Sequence, residues 1–210
     1  MRKPITAATA RRMANRNPMP ASLADGFRDR GWADRLPQVY ERAAGLFCEH
    51  LDASKALWTH LKQLLPMIAF YEEALRLCGS QQAALAFMDQ WAFVKIERMM
   101  PRVRLLMKLG LYRWMPALCG VMLDRMFGES AGFAYRLVPD APRFAADMKG
   151  CPYVEICANY GVPELTRFAC QADDITYGHL HPRLVWARTQ TLGTGGECCD
   201  FRLHLKKEKS

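Results

Sequence analysis

The sequence predicts an α+β fold, a helical N-terminal part followed by a small antiparallel sheet with short helices. Three observations predict it. Apolar residues recur at the spacing of helices from Val39 to Met107. After Gly128 the spacing changes to the alternation of strands, in residues 132–138, 184–189 and 199–205. A glycine-rich loop, QTLGTGGE, joins the last two of these runs, which makes them an antiparallel hairpin. The chain has 210 residues, half of them hydrophobic, enough for one well-packed core.

Residues 1–36 mix Arg, Pro, Ala and Asn with little apolar periodicity and are expected as a basic, flexible arm. A single domain is expected over 37–205, with a basic tail over 206–210. Val39, Ala43, Leu46 and Phe47 form the first apolar helical face, and Leu57, Leu61, Leu64 and Leu65 the second. Pro66 is expected to open a new helix rather than sit inside one. That helix carries Ile68, Tyr71, Leu75 and Cys78 on one face and ends at Gly79. Ser80 is the expected N-cap of the next, whose Ala84, Phe87, Trp91 and Val94 face the core. Beyond a break at Pro101, the apolar face continues through Met99, Met100, Val103, Leu106 and Met107, ringed by arginines. Core packing is the preferred reading of this Met-rich helix over a membrane or partner surface. In the late region, residues 132–138 read as a strand with Phe133, Tyr135 and Leu137 on one side. A proline-punctuated link follows, then short helices around 153–160 and 163–170.

The formal net charge is +8. Basic residues concentrate at the two ends, whereas residues 151–203 hold four basic residues against six acidic ones, so no nucleic-acid partner is expected. The longest apolar run, 114–123, is broken by Pro116 and Gly120 and falls short of the roughly 20 residues of a membrane span, so no stable membrane insertion is expected. No secretory signal pattern opens the chain. These readings place the protein in the cytoplasm, with its eight cysteines reduced and a homo-oligomer compatible with the sequence.

Chemistry concentrates in residues 151–203, which hold Cys151, Cys157, Cys170, Cys198 and Cys199 together with His179 and His181. Their spacing lacks the close ligand pairs of structural zinc, so no metal and no cofactor is expected. Asp173 and Asp174 are adjacent carboxylates, of which one can carry a raised pKa for acid–base work. Capping of a helix over ITYGHL is the preferred reading of the pair. Alternation puts Cys199 and Phe201 on one face of the last strand and Cys198, Asp200 and Arg202 on the other, although a bulge reverses this. Arg188 interrupts an apolar strand and needs a partner, either a substrate carboxylate held in bidentate fashion or Asp200 on the neighbouring strand. Gly193, Gly195 and Gly196 let backbone N–H groups approach an anion.

The motifs CPYVEICANYGVPEL, CQADD and ARTQTLGTGGECCDFR, with the earlier LLPMIAFYEEALRLCGSQQAALAF, resemble the L-2-amino-thiazoline-4-carboxylic acid hydrolase family over about residues 64–203. The resemblance implies hydrolytic opening of a small cyclic isothiourea to N-carbamoyl-L-cysteine. It makes Cys199 the first candidate nucleophile and Cys170 the second, with Asp173 or Asp200 as acid–base. Arg188 would hold the substrate carboxylate, and Thr189, Thr191, Gly195 and Cys151 would shape the substrate site. The alternatives are a cysteine-rich protein binding a metal or small ligand without hydrolysis, and more remotely a nucleic-acid or membrane-surface adaptor.

Overall fold

The computed structural model describes residues 2–139 and 144–206, and the chain divides into two compact units, Met1–Ile96 and Glu97–Ser210. The division falls at Ile96, not at residue 36 where composition changes. Residues 140–143 of the proline-punctuated link, and all of the basic tail but Lys206, lie outside the described residues.

The first unit is built from α1 (Ala7–Arg16), α2 (Pro18–Asp29), α3 (Leu36–Glu49), α4 (Lys55–Cys78) and α5 (Gln81–Trp91). Thr6, Ser54 and Ser80 each accept a backbone N–H at the head of a helix, and Gly79 closes α4 in the left-handed region, as its place in the sequence predicts. The segment expected as a flexible arm is two helices. Ala10 and Ala14 of α1 and Met19, Leu23 and Phe27 of α2 are fully buried, four residues apart. Two of those five are alanines, too small to stand out as an apolar face, and this hid the period. Phe27 anchors the core with edge-to-face contacts to Trp32, Phe70 and Phe87 at ring separations of 5.2 to 5.5 Å.

Pro66 does not open a helix; it sits inside α4, which runs through it for 24 residues. A proline there cannot donate to the carbonyl four residues earlier, Lys62 O. Asn17 supplies the missing donor, its Nδ2 reaching Lys62 O at 3.2 Å and Met13 O at 2.7 Å. Asn17→Ala is therefore expected to destabilise the protein by about 1–3 kcal/mol. In a Pro66→Ala background, where residue 66 regains its N–H, that cost is expected to shrink. Urea denaturation of the four proteins of this cycle measures the coupling, and equal costs in the two backgrounds contradict the account.

The next helix, α6 (Val94–Lys108), also continues through its proline, Pro101, where the sequence places a break. Its apolar residues do not all enter a core: Met100 and Met107 are buried, while Met99, Leu105 and Leu106 are exposed. The second unit continues with α7 (Met115–Phe127), β1 (Ala134–Leu137), β2 (Phe144–Gly150), α8 (Pro152–Asn159), α9 (Thr166–Tyr177), β3 (Leu184–Ala187) and β4 (Cys199–Leu205). The sheet is antiparallel throughout in the order β1-β2-β4-β3. The predicted hairpin is present, with Trp186 opposite Leu203 and Ala187 opposite Arg202. Strand β1 is shorter than predicted, and its Leu137 faces solvent while Phe133, just before it, is buried.

The central strand β2 has no counterpart among the sequence expectations. FAADMKG contains no β-branched residue, and its pairing on both edges makes it a strand rather than its propensity. Asp147 lies buried within it and receives Arg202 at 2.7 Å and Arg136 at 3.3 Å. The Arg202 hydrogen bond, chief among these, holds its carboxyl below the usual carboxylate range against the effect of burial. Arg202 thus braces the face of β4 that the alternation assigns to polar residues.

Candidate active site

Helix α9 begins after a 3₁₀ turn at Pro163–Leu165 and runs to Tyr177, seven residues beyond the expected end. Asp173 and Asp174 consequently lie inside a helix and cap none. Cys170, Asp173, Asp174 and Tyr177 are spaced i, i+3, i+4 and i+7, which brings all four to one helical face. That face meets the 3₁₀ turn Leu192–Thr194 of the hairpin loop and the start of β4.

Cys170 is the centre of the arrangement. The Cys199 thiol donates to its sulfur, and this is the largest influence on its acidity. Burial opposes ionisation, but the Thr191 hydroxyl, the Arg188 charge and the Gly193 backbone N–H also favour the thiolate, and the pKa falls to about 6. Cys199, as donor to an anion, is driven far above the usual thiol range, while its own sulfur accepts the Leu192 N–H at 3.3 Å. Of the two thiols, Cys170 is the one whose ionisation these neighbours favour, with Cys199 as its hydrogen-bond partner.

Gly193 makes this contact possible. A Cβ built on it falls 2.9 Å from Cys170 Sγ and 2.8 Å from Thr166 Cγ2, so any side chain here pushes the turn off the thiol. Gly195, the glycine singled out from the sequence, has φ near 85° and open space around it, and it closes the turn. Gly193→Ala is expected to raise the Cys170 pKa by withdrawing the N–H donor. The rate of iodoacetamide alkylation against pH reads this, and an unmoved profile excludes the role given to the turn.

Arg188 follows β3, with its side chain only 5% exposed. Its Nη2 donates to Cys170 O at 3.0 Å and to Asp174 Oδ2, and Trp186 Nε1 donates to the other Asp174 oxygen at 2.9 Å. The guanidinium lies 5.6 Å from the Phe201 ring and 6.0 Å from that of Trp186. Its partner is therefore Asp174, and not Asp200 across the hairpin. Nη1 stands 3.8 Å from Asp173 Oδ2 and has no hydrogen-bond partner, although it is buried. A buried guanidinium donor left unpaired is costly, and a bound carboxylate satisfies it.

Asp173 is pushed up to about 7, chiefly by burial, with Arg188 pulling down and the Cys170 and Asp174 charges adding to the rise. Its side chain keeps 38% of its surface open, which gives its proton a route to solvent. Asp173 also borders a cavity of about 130 Å³ walled by apolar side chains, among them Met148, Tyr177, Trp186 and Phe201. Cys170 and Cys199 are not part of that wall.

Asp200 has a different task. It accepts Thr189 N at 2.9 Å, Thr189 Oγ1 at 2.7 Å and Gln190 N at 2.9 Å. Burial acts to raise its carboxyl, but these bonds together outweigh it and hold it below the usual range. Asp200 and Thr189 pin the strand exit that carries Arg188. Thr191 is buried and pairs with Thr194 at 2.9 Å while serving Cys170. Cys151 precedes α8 as its N-cap residue, and burial pushes its thiol up to about 11, which keeps it neutral. Cys198 is buried beside Cys199 rather than exposed on a polar face. His181 stacks on Tyr112 at 3.7 Å, and no three His, Cys, Asp or Glu side chains among the described residues cluster as metal ligands.

A family model for L-2-amino-thiazoline-4-carboxylic acid hydrolase matches residues 59–203. The chain belongs to this family. No curated protein and no solved structure matches it. The part matched to the hydrolase family contains every residue of the thiol site, from Cys151 to Asp200. Two contributors escaped the sequence reading of this hydrolase-family chain. Gly193 looks like its neighbouring glycines in the sequence, but its contact with Cys170 sets it apart. Trp186 carries no sign in the sequence beyond its place in a strand, yet it donates to Asp174 and stands beside Arg188.

Proposed function

We propose that the protein hydrolyses a small cyclic isothiourea bearing a carboxylate, such as L-2-amino-thiazoline-4-carboxylate, to N-carbamoyl-L-cysteine, with Cys170 as nucleophile. The observation that carries this reading is a thiol surrounded by groups that favour its ionisation, beside a buried arginine with an unpaired N–H. Arg188 Nη1 takes the substrate carboxylate, and Asp173 carries the proton.

The steps balance without any oxidant or reductant. Cys170 Sγ bonds to C2 of the ring, and the C2–S1 bond breaks as the ring sulfur takes the Asp173 proton and leaves as a thiol. The carbon now sits on Cys170 as an isothiourea. Water attacks it, giving its proton to the Asp173 carboxylate, and the bond to Cys170 breaks, which restores the thiolate. The product tautomerises to the urea, and one water is consumed.

The test is release of thiol from L-2-amino-thiazoline-4-carboxylate, with mass spectrometry of acid-quenched protein. One oxygen from ¹⁸O-water in the carbamoyl product and an adduct on Cys170 are expected. No thiol release from this compound or from related cyclic amidines removes the hydrolase reading in favour of a protein that only binds its ligand.

A further inference from the structure

The water-facing side of residues 98–122 is apolar and basic at once. Leu109 is 76% exposed, Trp114 72% and Val121 64%, and Leu105, Leu106 and Leu111 are exposed with them. Between Arg98 and Leu123 the sequence contains no Asp or Glu. Arg98, Arg102, Lys108 and Arg113 are exposed in the same segment. At 3.6 residues per turn, Leu105 and Leu106 fall on the same side of α6 as Arg98 and Arg102, and Leu109 follows directly after its end. On α7, Leu118, Val121 and Met122 form an exposed stripe at i, i+3 and i+4.

Ordinary globular surfaces leave single apolar side chains in water, not a run of this length. Two occupants would cover it. A second copy on a two-fold axis sets the four exposed cations against the same four, with no acidic residue in the segment to pair them. An anionic bilayer suits both halves of the pattern, since leucines and a tryptophan enter the interface while arginine and lysine meet lipid phosphates. No described helix is long and apolar enough to cross a membrane, so the mode is adsorption in the plane of the interface.

We infer that the α6–α7 surface binds the protein peripherally to anionic lipid bilayers. Leu118 and Met122 belong both to this surface and to the wall of the cavity beside Asp173, so adsorption brings the cavity mouth to the lipid boundary. The inference is independent of the substrate reading.

The test is co-sedimentation of the full chain with vesicles of phosphatidylcholine alone or with about 30 mol % phosphatidylglycerol. Binding to the anionic vesicles is expected, weakening as salt rises from about 0.05 to 0.5 M. Arg98→Ser with Arg102→Ser is expected to weaken it roughly 30-fold, at about fivefold per charge. Leu109→Glu with Trp114→Glu is expected to abolish it while leaving the circular dichroism spectrum unchanged. Absence of binding to anionic vesicles overturns the inference. So does binding that both double variants retain, which assigns it to other basic residues of the chain. A concentration-dependent dimer that Leu109→Glu with Trp114→Glu dissociates assigns the surface to a second copy and also overturns it.

Discussion

Cys170→Ala is expected to lower turnover of the thiazoline substrate by on the order of 10⁴ to 10⁶, the scale on which loss of a nucleophile acts in enzymes that use a covalent intermediate. Cys199→Ala is expected to act differently. It removes the largest influence favouring the Cys170 thiolate while leaving the nucleophile in place. Its activity should fall throughout the profile and its acid limb should move up, because the Cys170 pKa moves from about 6 toward the ordinary thiol value of about 8.5 while Asp173 must still be protonated. The wild-type profile follows from the same groups. The proposed mechanism requires Cys170 as thiolate, so activity is expected to fall below about pH 6, and Asp173 protonated, so it is expected to fall above about pH 7. The two limbs are apparent values of a coupled set, because the Cys170 charge itself raises Asp173. Steady-state kcat/KM against pH for the wild type and both variants checks this. Full activity in Cys170→Ala, or a Cys199→Ala profile whose acid limb does not move, removes the nucleophile assignment.

Arg188→Lys is the second large effect. Lysine keeps the charge but not the planar fork that reaches Asp174 and the Cys170 carbonyl with Nη2 while leaving Nη1 for a ligand. A loss of about 10- to 150-fold in kcat/KM is expected for the carboxylated thiazoline, the range of one charged hydrogen bond. The analogue 2-amino-2-thiazoline, which lacks the carboxylate, should show a much smaller loss, because Nη1 has nothing to hold in that complex. Comparison of the two substrates separates carboxylate binding from general disturbance. Equal losses would reassign Arg188 to the support of Asp173, Asp174 and the thiolate alone.

Much of the first unit could be read locally. Ser80 and Gly79 are legible as caps because a cap's hydrogen bond spans only a few residues. Pro66 misled because the donor that makes it tolerable, Asn17, lies 45 residues away from the carbonyl it serves. The exposed leucines of α6 misled in the opposite direction. Their helical spacing is genuine, but spacing shows that residues share a face and not what the face meets. In the site, the CQADD spacing already put Cys170 and both aspartates on one side of a helix. The preference for a cap came from judging Asp by its propensity, whereas α9 continues to Tyr177, with Arg188 and Trp186 pairing Asp174.

By itself the sequence determined the α+β class, the late hairpin, the caps and the set of residues from which a site is made, since each depends on periodicity or on contacts within a turn or two of chain. Only the tertiary structure shows which thiol has neighbours that favour its ionisation. Cys170 receives its donors from Cys199, Thr191, Gly193 and Arg188, all 18 to 29 positions further along, and a pKa is a sum over such neighbours in space. The same summation makes Asp200 a brace for Thr189 and raises the Asp173 carboxyl.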